Sequence, residues 1–431
     1  MRNETYRILA GDRRVSNDTR TTGLNNNDLI IGPSGAGKTR GYVRPNLLEC
    51  AGSVIVADTK GSLLGEVGPA MEARGYRVRS IGFADLGGSC GYNPFDYIRR
   101  DPRTKAYSEQ DIQSVCAALI PVETAKDPFW EQSARLVLAG MIGYVLECLP
   151  KREHTLEYVV KLFGEMTPVD QKHRSNFDKL FAELAAEKPE SFAARKYQLF
   201  RGLSTADKTW ECVRGFLAEH LSPLTPDGAK RMYSRRERVD FRALGREKTA
   251  VFLTVSDTDR SMDKLINLFY TQALQTLCAS ADRDYPDHAL PVPVRVILDD
   301  FATNVRIPEF DKIISVIRSR EISVSVILQS LSQLEALYGH SRAMTIINNC
   351  DNLLYLGGQD VETARYIGVK ANRTADTILN MPLDEAYLFT RGQAPRKVAK
   401  YDPRAHERCR ETPVSAPGKE AEKCLCAAAD I

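Results

Sequence analysis

The sequence lacks a run of about 20 apolar residues, the length that a helix needs to cross a bilayer. Its best candidate, Leu136–Leu149, is interrupted by Glu147 and is typical of a helix in a protein core. The segment Met1–Arg20 is polar and does not resemble a secretory signal peptide. These absences argue against a membrane-spanning or secreted chain, and we expect a cytoplasmic protein.

A large excess of one charge is also missing, since 59 basic and 56 acidic residues give a formal net charge of +3. So small an excess does not by itself indicate nucleic-acid binding, and any contact with a polyanion must come from a local patch. The 10 cysteines are scattered through apolar segments, which predicts buried thiols in a reducing compartment. The length of 431 residues predicts a globular protein of about two or three domains.

The stretch from Gly32 to Thr39 has the pattern G-x-x-x-x-G-K-T. The apolar run Leu29–Ile31 before it predicts a buried strand, and helix-compatible residues follow it, a context that indicates a phosphate-binding loop instead of a plain glycine turn. Lys38 would reach the β- and γ-phosphates of a nucleotide, and the Thr39 hydroxyl would hold Mg²⁺. The nucleotide-binding residues that this pattern predicts are Gly32, Pro33, Ser34, Gly35, Ala36, Gly37, Lys38 and Thr39.

A second apolar run, Val294–Leu298, predicts a strand that ends in the carboxylates of Asp299 and Asp300. Asp299 would hold Mg²⁺ through its water shell, and Asp300 would orient or deprotonate the attacking water. Many strands end in acidic turns, so this pattern indicates a nucleotide site only together with the phosphate loop. Gln329 follows the next predicted strand, Ile322–Leu328, where it would sense the γ-phosphate or simply cap the strand.

The hydrophobic pattern divides the chain into two kinds of region. β-Branched runs such as Ser53–Ala57 and Thr249–Val255 predict parallel strands of an α/β domain. From about residue 103 to residue 235, apolar residues recur at three- and four-residue spacing, which predicts an inserted all-α domain. We predict an N-terminal arm at 1–27 with a short strand at Tyr6–Leu9, an α/β domain at 28–102 and 236–402, the all-α domain at 103–235, and a disordered tail at 403–431.

The densest basic run is Lys230–Arg238, which contains one aromatic residue. Its arginines Arg235, Arg236 and Arg238 would neutralise nucleic-acid phosphates if they lined a channel. The same composition is typical of a solvated charged linker between the all-α domain and the next strand.

The tail contains four side chains that could bind zinc, namely His406, Cys409, Cys424 and Cys426. Their spacing matches no common zinc motif, and the segment has few apolar residues. The sequence therefore favours a tail without a metal.

Taken together, these motifs and several further stretches resemble the conjugative coupling proteins of type IV secretion systems, the VirD4-like TraG/TraD family. The likeness runs from about Asn25 to about Asp402. Its stretches Arg318–Ser323 and Ile327–Leu334 are specific for this family. The matching stretches are Ile31–Thr39 with Tyr42–Leu48, Val56–Gly61, Tyr92–Phe95, Asp127–Ala134, Leu298–Ala302, Arg318–Ser323 and Ile327–Leu334.

The resemblance implies a RecA-like P-loop NTPase domain with a mainly parallel central sheet, plus an inserted all-α domain. It implies a homo-hexameric ring that binds ATP and Mg²⁺ between subunits. The expected function is an ATP-driven coupling protein, which recruits a relaxase with single-stranded DNA and feeds this complex to the secretion channel proteins at the inner membrane.

The resemblance also assigns roles to single residues. Lys38 and Thr39 would hold the nucleotide, Asp299 the Mg²⁺, and Gln329 would sense the γ-phosphate. Arg318 or Arg320 would be an arginine finger for the neighbouring subunit's nucleotide. The alternative is that both arginines only pair with nearby acids such as Glu321.

Two departures from the family pattern affect these expectations. The family usually has transmembrane helices ahead of the phosphate loop, and this sequence shows none there, so we expect a truncated form or a soluble variant that docks on a membrane partner. The second carboxylate of the strand is often Glu, and Asp300 is one methylene shorter, which predicts slow hydrolysis. A nucleotide-gated docking scaffold and a DNA translocase unrelated to conjugation are therefore the alternative functions.

Overall fold

The computed structural model of the chain describes residues 5–122, 128–167, 175–203, 207–256, 258–301 and 306–406. Its strands are β1 Tyr6–Ala10, β2 Arg13–Ser16, β3 Asp28–Ile31, β4 Ser53–Asp58, β5 Arg77–Gly82, β6 Thr249–Thr254, β7 Val294–Leu298, β8 Ile322–Leu328, β9 Asn352–Tyr355, β10 Glu385–Thr390 and β11 Arg396–Ala399. In the described part, β3 to β11 form one sheet in the order β11-β10-β9-β3-β8-β7-β4-β6-β5.

The sheet is parallel from β9 to β5, and only β10 and β11 at one edge run antiparallel to their neighbours. Strands such as β4 and β8 are buried along their whole length, as expected for β-branched strands that are covered on both faces. The predicted, mainly parallel α/β sheet is therefore confirmed.

Helices cover both faces of this sheet. Side chains that alternate along a strand point to opposite faces, so Ile30 and Leu29 of β3 belong to two different apolar clusters. The described helices outside the segment between β5 and β6 are Thr19–Thr22, Arg44–Glu49, Leu63–Ala73, Asp263–Asp284, Phe310–Val316, Leu331–Tyr338, His340–Asn348, Val361–Ala371 and Ala375–Leu379. Among the described helices, none combines the length and the apolarity needed to cross a bilayer.

The segment between β5 and β6 folds mainly into helices. Phe129–Cys148 lies at its centre and packs against Phe192–Leu203, where Gly143 allows close approach because a Cβ there would lie 2.8 Å from Phe192 Cδ1. The other helices described here are Glu109–Leu119, Leu156–Gly164, Asn176–Glu187, Asp207–Leu221, Asp227–Ser234 and Phe241–Leu244. Domain boundaries at residues 103 and 235 stay a prediction.

The N-terminal residues form a hairpin of β1 and β2, and β1 is the strand that the sequence predicts at Tyr6–Leu9. The hairpin is attached to the sheet domain, since Ile8, Leu9 and Ala10 are buried. Asn46 binds the backbone of β1 at both polar groups: its Oδ1 accepts from Ile8 N at 2.8 Å, and its Nδ2 donates to Ile8 O at 2.7 Å.

The first residue of β3, Asp28, is the centre of a buried polar network. Arg7 Nε donates to both of its carboxylate oxygens at 3.1 and 2.8 Å, and Tyr42 OH donates to Oδ2 at 2.7 Å. Arg295 Nη1 lies 3.3 Å from Oδ2, and Asn352 Nδ2 donates to Oδ1 at 3.1 Å. One carboxylate thus connects β1, β3, β7, β9 and the turn that follows the phosphate loop.

Pro45 changes the type of helix after the phosphate loop without ending it. A π-helical turn, Thr39–Val43, leads directly into the α-helix Arg44–Glu49, in which Pro45 lies in the first turn. The first N–H groups of an α-helix have no acceptor within that helix, so a proline is tolerated there. The π-helical turn and the α-helix therefore follow each other without a break on either side of Pro45.

We expect Asp28→Ala to destabilise the protein strongly, because Arg7 and Arg295 would keep buried charges without a counter-ion. The expected loss in free energy of unfolding is about 3–5 kcal/mol, measured by chemical denaturation. The matched control is Asp12→Ala, which removes an exposed carboxylate that pairs with the neighbouring Arg13 and should cost less than about 1 kcal/mol. Equal losses in the two variants would contradict the importance of the network.

Candidate functional site

The predicted phosphate loop lies between β3 and the π-helical turn and depends on three glycines. Gly35 and Gly37 have φ angles of +78° and +94°, a region that side-chain-bearing residues rarely adopt. A Cβ on Gly32 would lie 2.9 Å from Leu356 Cβ, and the Gly32 N–H donates to Leu328 O at 3.1 Å. The loop therefore leaves the sheet beside β8 in a backbone conformation that would be strained if residues with side chains replaced these glycines.

Lys38 lies inside this loop, and its side chain is only 7% exposed. Its Nζ donates to the carbonyl oxygens of Gly32 at 2.7 Å and Pro33 at 3.1 Å. Pro33 and Ser34 form the exposed tip of the loop. The ammonium group is thus held by two backbone carbonyls of the loop, and its positive charge would fit a phosphate.

The end of β7 brings both predicted carboxylates to the loop. Thr39 Oγ1 donates to Asp299 Oδ2 at 2.9 Å, and Asp300 Oδ1 lies 3.6 Å from Lys38 Nζ. Asp300 has a left-handed φ of +49°, and its N–H donates to Asp299 Oδ1 at 3.1 Å. A hydroxyl and a carboxylate side by side are the oxygen donors that Mg²⁺ prefers, so these two side chains fit a magnesium ion.

Asp299 is nearly completely buried, and its pKa reflects this. Burial is the main cause that raises the pKa of Asp299 to about 6, and the negative charge of Asp300 acts in the same direction. The hydrogen bond from Thr39 and the charge of Lys38 act in the opposite direction but do not compensate. The charged form of Asp299 is therefore costly unless a cation accompanies it.

Gln329 follows β8, the strand that separates β3 from β7 in the sheet. Residues at the carboxyl ends of parallel strands share one edge, so Gln329 lies at the same edge as the phosphate loop and Asp299. Its own N–H donates to Gln333 Oε1 at 3.3 Å. Its role as a γ-phosphate sensor stays a prediction.

Arg318 and Arg320 lie at the amino ends of the parallel strands, just before the first residue of β8, whereas the phosphate loop lies at the carboxyl ends. Arg320 makes a two-pronged ion pair with Asp282, with both N–O distances at 2.9 Å. Arg318 is exposed, and its Nη2 donates to Gly23 O at 3.3 Å. The structure therefore does not bring either arginine to the phosphate loop of its own chain.

Lys400 is a residue beside the site that the sequence analysis missed. It directly follows β11, and its Nζ donates to the carbonyl of Ala36 in the phosphate loop at 3.3 Å. Burial lowers the pKa of this ammonium group. No local motif marks Lys400, because its position depends on the chain returning from β11 to the loop.

Two arginines of the basic run Lys230–Arg238 bind other groups of the protein. Arg235 donates to Gly88 O, and Arg238 forms an ion pair with Asp96 at 2.5 Å. Arg236 is exposed. Two of the three arginines that the sequence proposed for nucleic acid are therefore already occupied by the protein itself.

The tail histidine, His406, is buried beside Glu49, with 3.3 Å between Nε2 and Oε1. Cys409, Cys424 and Cys426 lie outside the described residues, as do Asp127 and Ala302 of the family-specific stretches. Within the described residues no group of three His, Cys, Asp or Glu side chains could hold a metal ion.

A mainly parallel α/β sheet, a glycine-rich phosphate loop after one strand and a threonine-bound aspartate after another define a RecA-like P-loop protein. This chain belongs to the family described as Type IV secretory system Conjugative DNA transfer, whose family model matches residues 4–371. The resemblance seen in the sequence is thereby confirmed.

The chain is similar to several curated relatives. It is 27% identical to protein VirD4 of Rhizobium radiobacter over 350 residues, which are 80% of this chain and 48% of the relative. It is 22% identical to the conjugal transfer protein TraG of Escherichia coli over 358 residues, which are 79% of this chain and 54% of the relative. The chain thus spans about half the length of the curated relatives it matches.

Solved structures share the fold at low sequence identity. The trigonal form of the bacterial conjugative coupling protein TrwBΔN70, in complex with sulphate, matches with a TM-score of 0.68 and 16% identity over 93% of this chain and 90% of that chain. TrwB in complex with ADP and Mg²⁺ matches with a TM-score of 0.65 and 17% identity over 93% and 89%. The predicted fold class is confirmed by these matches.

The raised pKa of Asp299 predicts that stability falls as the pH rises when Mg²⁺ is absent. The unfolded chain has the ordinary value of 3.8 and the folded chain about 6, so the folded state binds the proton more tightly and loses stability between these two pH values. We expect Asp299→Asn to be more stable than the wild type by about 2–3 kcal/mol at neutral pH, with the advantage shrinking toward pH 4. Denaturant titrations in a chelating buffer test this, and a constant difference across pH would contradict it.

Proposed function

We propose that this chain is the ATP-driven coupling protein of a conjugative type IV secretion system. It binds ATP with Mg²⁺ at the phosphate loop and hydrolyses it to move single-stranded DNA with its relaxase toward the secretion channel. The observation that carries the proposal is the hydrogen bond of 2.9 Å between Thr39 and Asp299, because it joins two nucleotide-site motifs that are far apart in the sequence. The structures of TrwB with ADP and Mg²⁺ and with a non-hydrolysable ATP analogue support a nucleotide of this kind.

In this proposal the loop residues from Gly32 to Gly37 surround the phosphates with backbone N–H groups, and Lys38 neutralises their charge. Thr39 and Asp299 hold Mg²⁺, which when bound stabilises the charge that develops on the transferred phosphoryl group. Gln329 contacts the γ-phosphate from the edge of β8 and reports its presence.

Asp300 is the proposed general base. Its carboxylate lies 3.6 Å from Lys38 Nζ, so it is beside the position of the γ-phosphate, where an attacking water would have to be oriented. Its side chain is 31% exposed, so it is accessible to water. The proton of the attacking water would pass to this carboxylate.

The neighbouring subunit provides the arginine finger in this proposal. Arg318 and Arg320 lie at the sheet edge away from their own phosphate loop, so they can act only on the nucleotide of another copy. Arg318 is the better candidate, because Arg320 is held by both oxygens of Asp282 whereas Arg318 donates to the backbone carbonyls of Thr19 and Gly23. The proposed assembly is a homo-hexameric ring at the inner face of the membrane, as the resemblance found in the sequence implies.

A nucleotide-gated docking scaffold with little hydrolysis is the second candidate. It is favoured by the geometry of Asp300, whose short carboxylate is directed at Lys38 and would have to leave this ammonium to bind a water. A scaffold would bind ATP tightly and show no turnover at any concentration of protein or single-stranded DNA.

We expect Asp300→Asn to lower the rate of ATP hydrolysis at least about 100-fold, because the amide cannot accept the proton of the attacking water. ATP affinity should change little, since Lys38, Thr39 and Asp299 remain. Steady-state hydrolysis with and without single-stranded DNA, together with nucleotide binding, measures both effects. Lys38→Ala is the control that should lose both, and unchanged turnover in Asp300→Asn would place the base elsewhere.

We expect Arg318→Ala to lower hydrolysis by at least about 1,000-fold if this arginine acts across the subunit boundary. The decisive measurement mixes Arg318→Ala with Lys38→Ala, two variants that are each inactive alone. A mixed ring contains sites with the intact loop of one copy and the intact arginine of the other, so activity should return. Mixing Lys38→Ala with Arg320→Ala is the matched comparison, and failure of both mixtures would contradict a finger at this edge.

A further inference from the structure

A polar cleft of about 910 Å³ lies where the helical segment joins the sheet. Its walls come from three parts of the chain, which are residues 96–114, residues 236–242 and one face of the helix Asp263–Asp284. In the described structure the phosphate loop contributes no residue to these walls. We call it the arginine cleft after the six side chains that line it, which are Arg99, Arg100, Arg236, Arg238, Arg242 and Arg283.

The cleft has more positive than negative charge. Three carboxylates line it, and two of them are used by two arginines: Asp111 binds Arg99 at 2.6 and 2.7 Å, and Asp96 binds Arg238 at 2.5 and 3.3 Å. The third, Asp240, accepts backbone N–H groups at the start of the helix Phe241–Leu244.

Of the other four arginines, Arg100 donates through its Nε to Lys105 O at 2.7 Å, and three are available to a ligand. The side chains of Arg236, Arg242 and Arg283 are exposed, and within the described residues none of them lies within ion-pair distance of a carboxylate. Guanidinium groups present several N–H donors in one plane, an arrangement that matches the oxygens of a phosphate.

The floor of the cleft is rigid. The ring of Tyr97 stacks on Phe241 with 4.4 Å between centroids, and its hydroxyl donates to Val239 O at 2.5 Å. Gln272 donates to Pro94 O at 2.9 Å and accepts from Tyr92 OH at 2.6 Å. These contacts hold the segments around Tyr97 and Phe241 against the helix Asp263–Asp284. The arginines of the cleft therefore project from a preorganised surface.

We propose that the arginine cleft binds the phosphodiester backbone of single-stranded DNA. Its size suits a ligand of a few nucleotides and not a duplex. The helix wall adds the amide group of Gln275 and the hydroxyl group of Thr276, which suit sugars and phosphates and do not read bases. Such a site binds without regard to sequence, as a transport protein requires. The inference rests on the proposed function only in taking single-stranded DNA as the substrate.

The test is the triple variant Arg236→Gln, Arg242→Gln and Arg283→Gln of the full chain. Binding of a fluorescent oligothymidine is measured by anisotropy over a series of salt concentrations, without nucleotide, so that hydrolysis does not enter. We expect affinity at moderate salt to fall at least about tenfold and the slope of log K against log salt to decrease by about 2. The matched control carries the same loss of charge at exposed sites outside the cleft, Lys179→Gln, Arg365→Gln and Arg373→Gln.

Wild-type affinity in the cleft variant would overturn the inference, and so would an equal loss in the control. A change of oligomeric state in sedimentation would also overturn it, because the cleft would then be a subunit contact. The proposed function is tested separately by ATP hydrolysis: turnover and DNA binding that survive in the cleft variant reject the cleft alone. A wild type that neither hydrolyses ATP nor binds DNA rejects both.

Discussion

The buried carboxylate of Asp28 is the constraint on which the nucleotide site depends. It opens β3, and only three residues separate it from Gly32, where the phosphate loop begins. An ionised carboxylate without partners inside a protein is strongly unfavourable, so its partners from β1, β7, β9 and the turn after the loop must all be in place. The Asp28 network thus fixes the first residue of β3, while the phosphate loop follows the last residue of this strand.

The order of the strands brings the phosphate loop and the carboxylates of Asp299 and Asp300 together. β8 lies between β3 and β7, and pairs with both in parallel register, so the loop after β3 and the carboxylates after β7 emerge at one edge. The distance across a single intervening strand is short enough for Thr39 and Asp299 to form a hydrogen bond. Arginines at the start of β8 necessarily lie at the amino ends of the strands, away from the phosphate loop of their own chain.

Much of this could be predicted from local patterns. The glycine spacing of the loop, the β-branched strands and the acidic end of β7 each follow from residues that are adjacent in the sequence, and the structure shows all three. The groups that pair with each arginine could not be predicted in the same way. The acid that holds Arg320 is Asp282, and the groups that occupy Arg235 and Arg238 are Gly88 and Asp96, all of them distant in sequence.

The sequence by itself determined the kinds of element and the chemistry of the phosphate loop, because side-chain periodicity and backbone freedom act over a few residues. Only the tertiary structure decided which strands are neighbours, that burial raises the pKa of Asp299, that Lys400 reaches the loop, and that Arg236, Arg242 and Arg283 line one cleft. These properties depend on packing between segments that lie tens to hundreds of residues apart. No local pattern contains that information, since the same strand or charge suits many different neighbours.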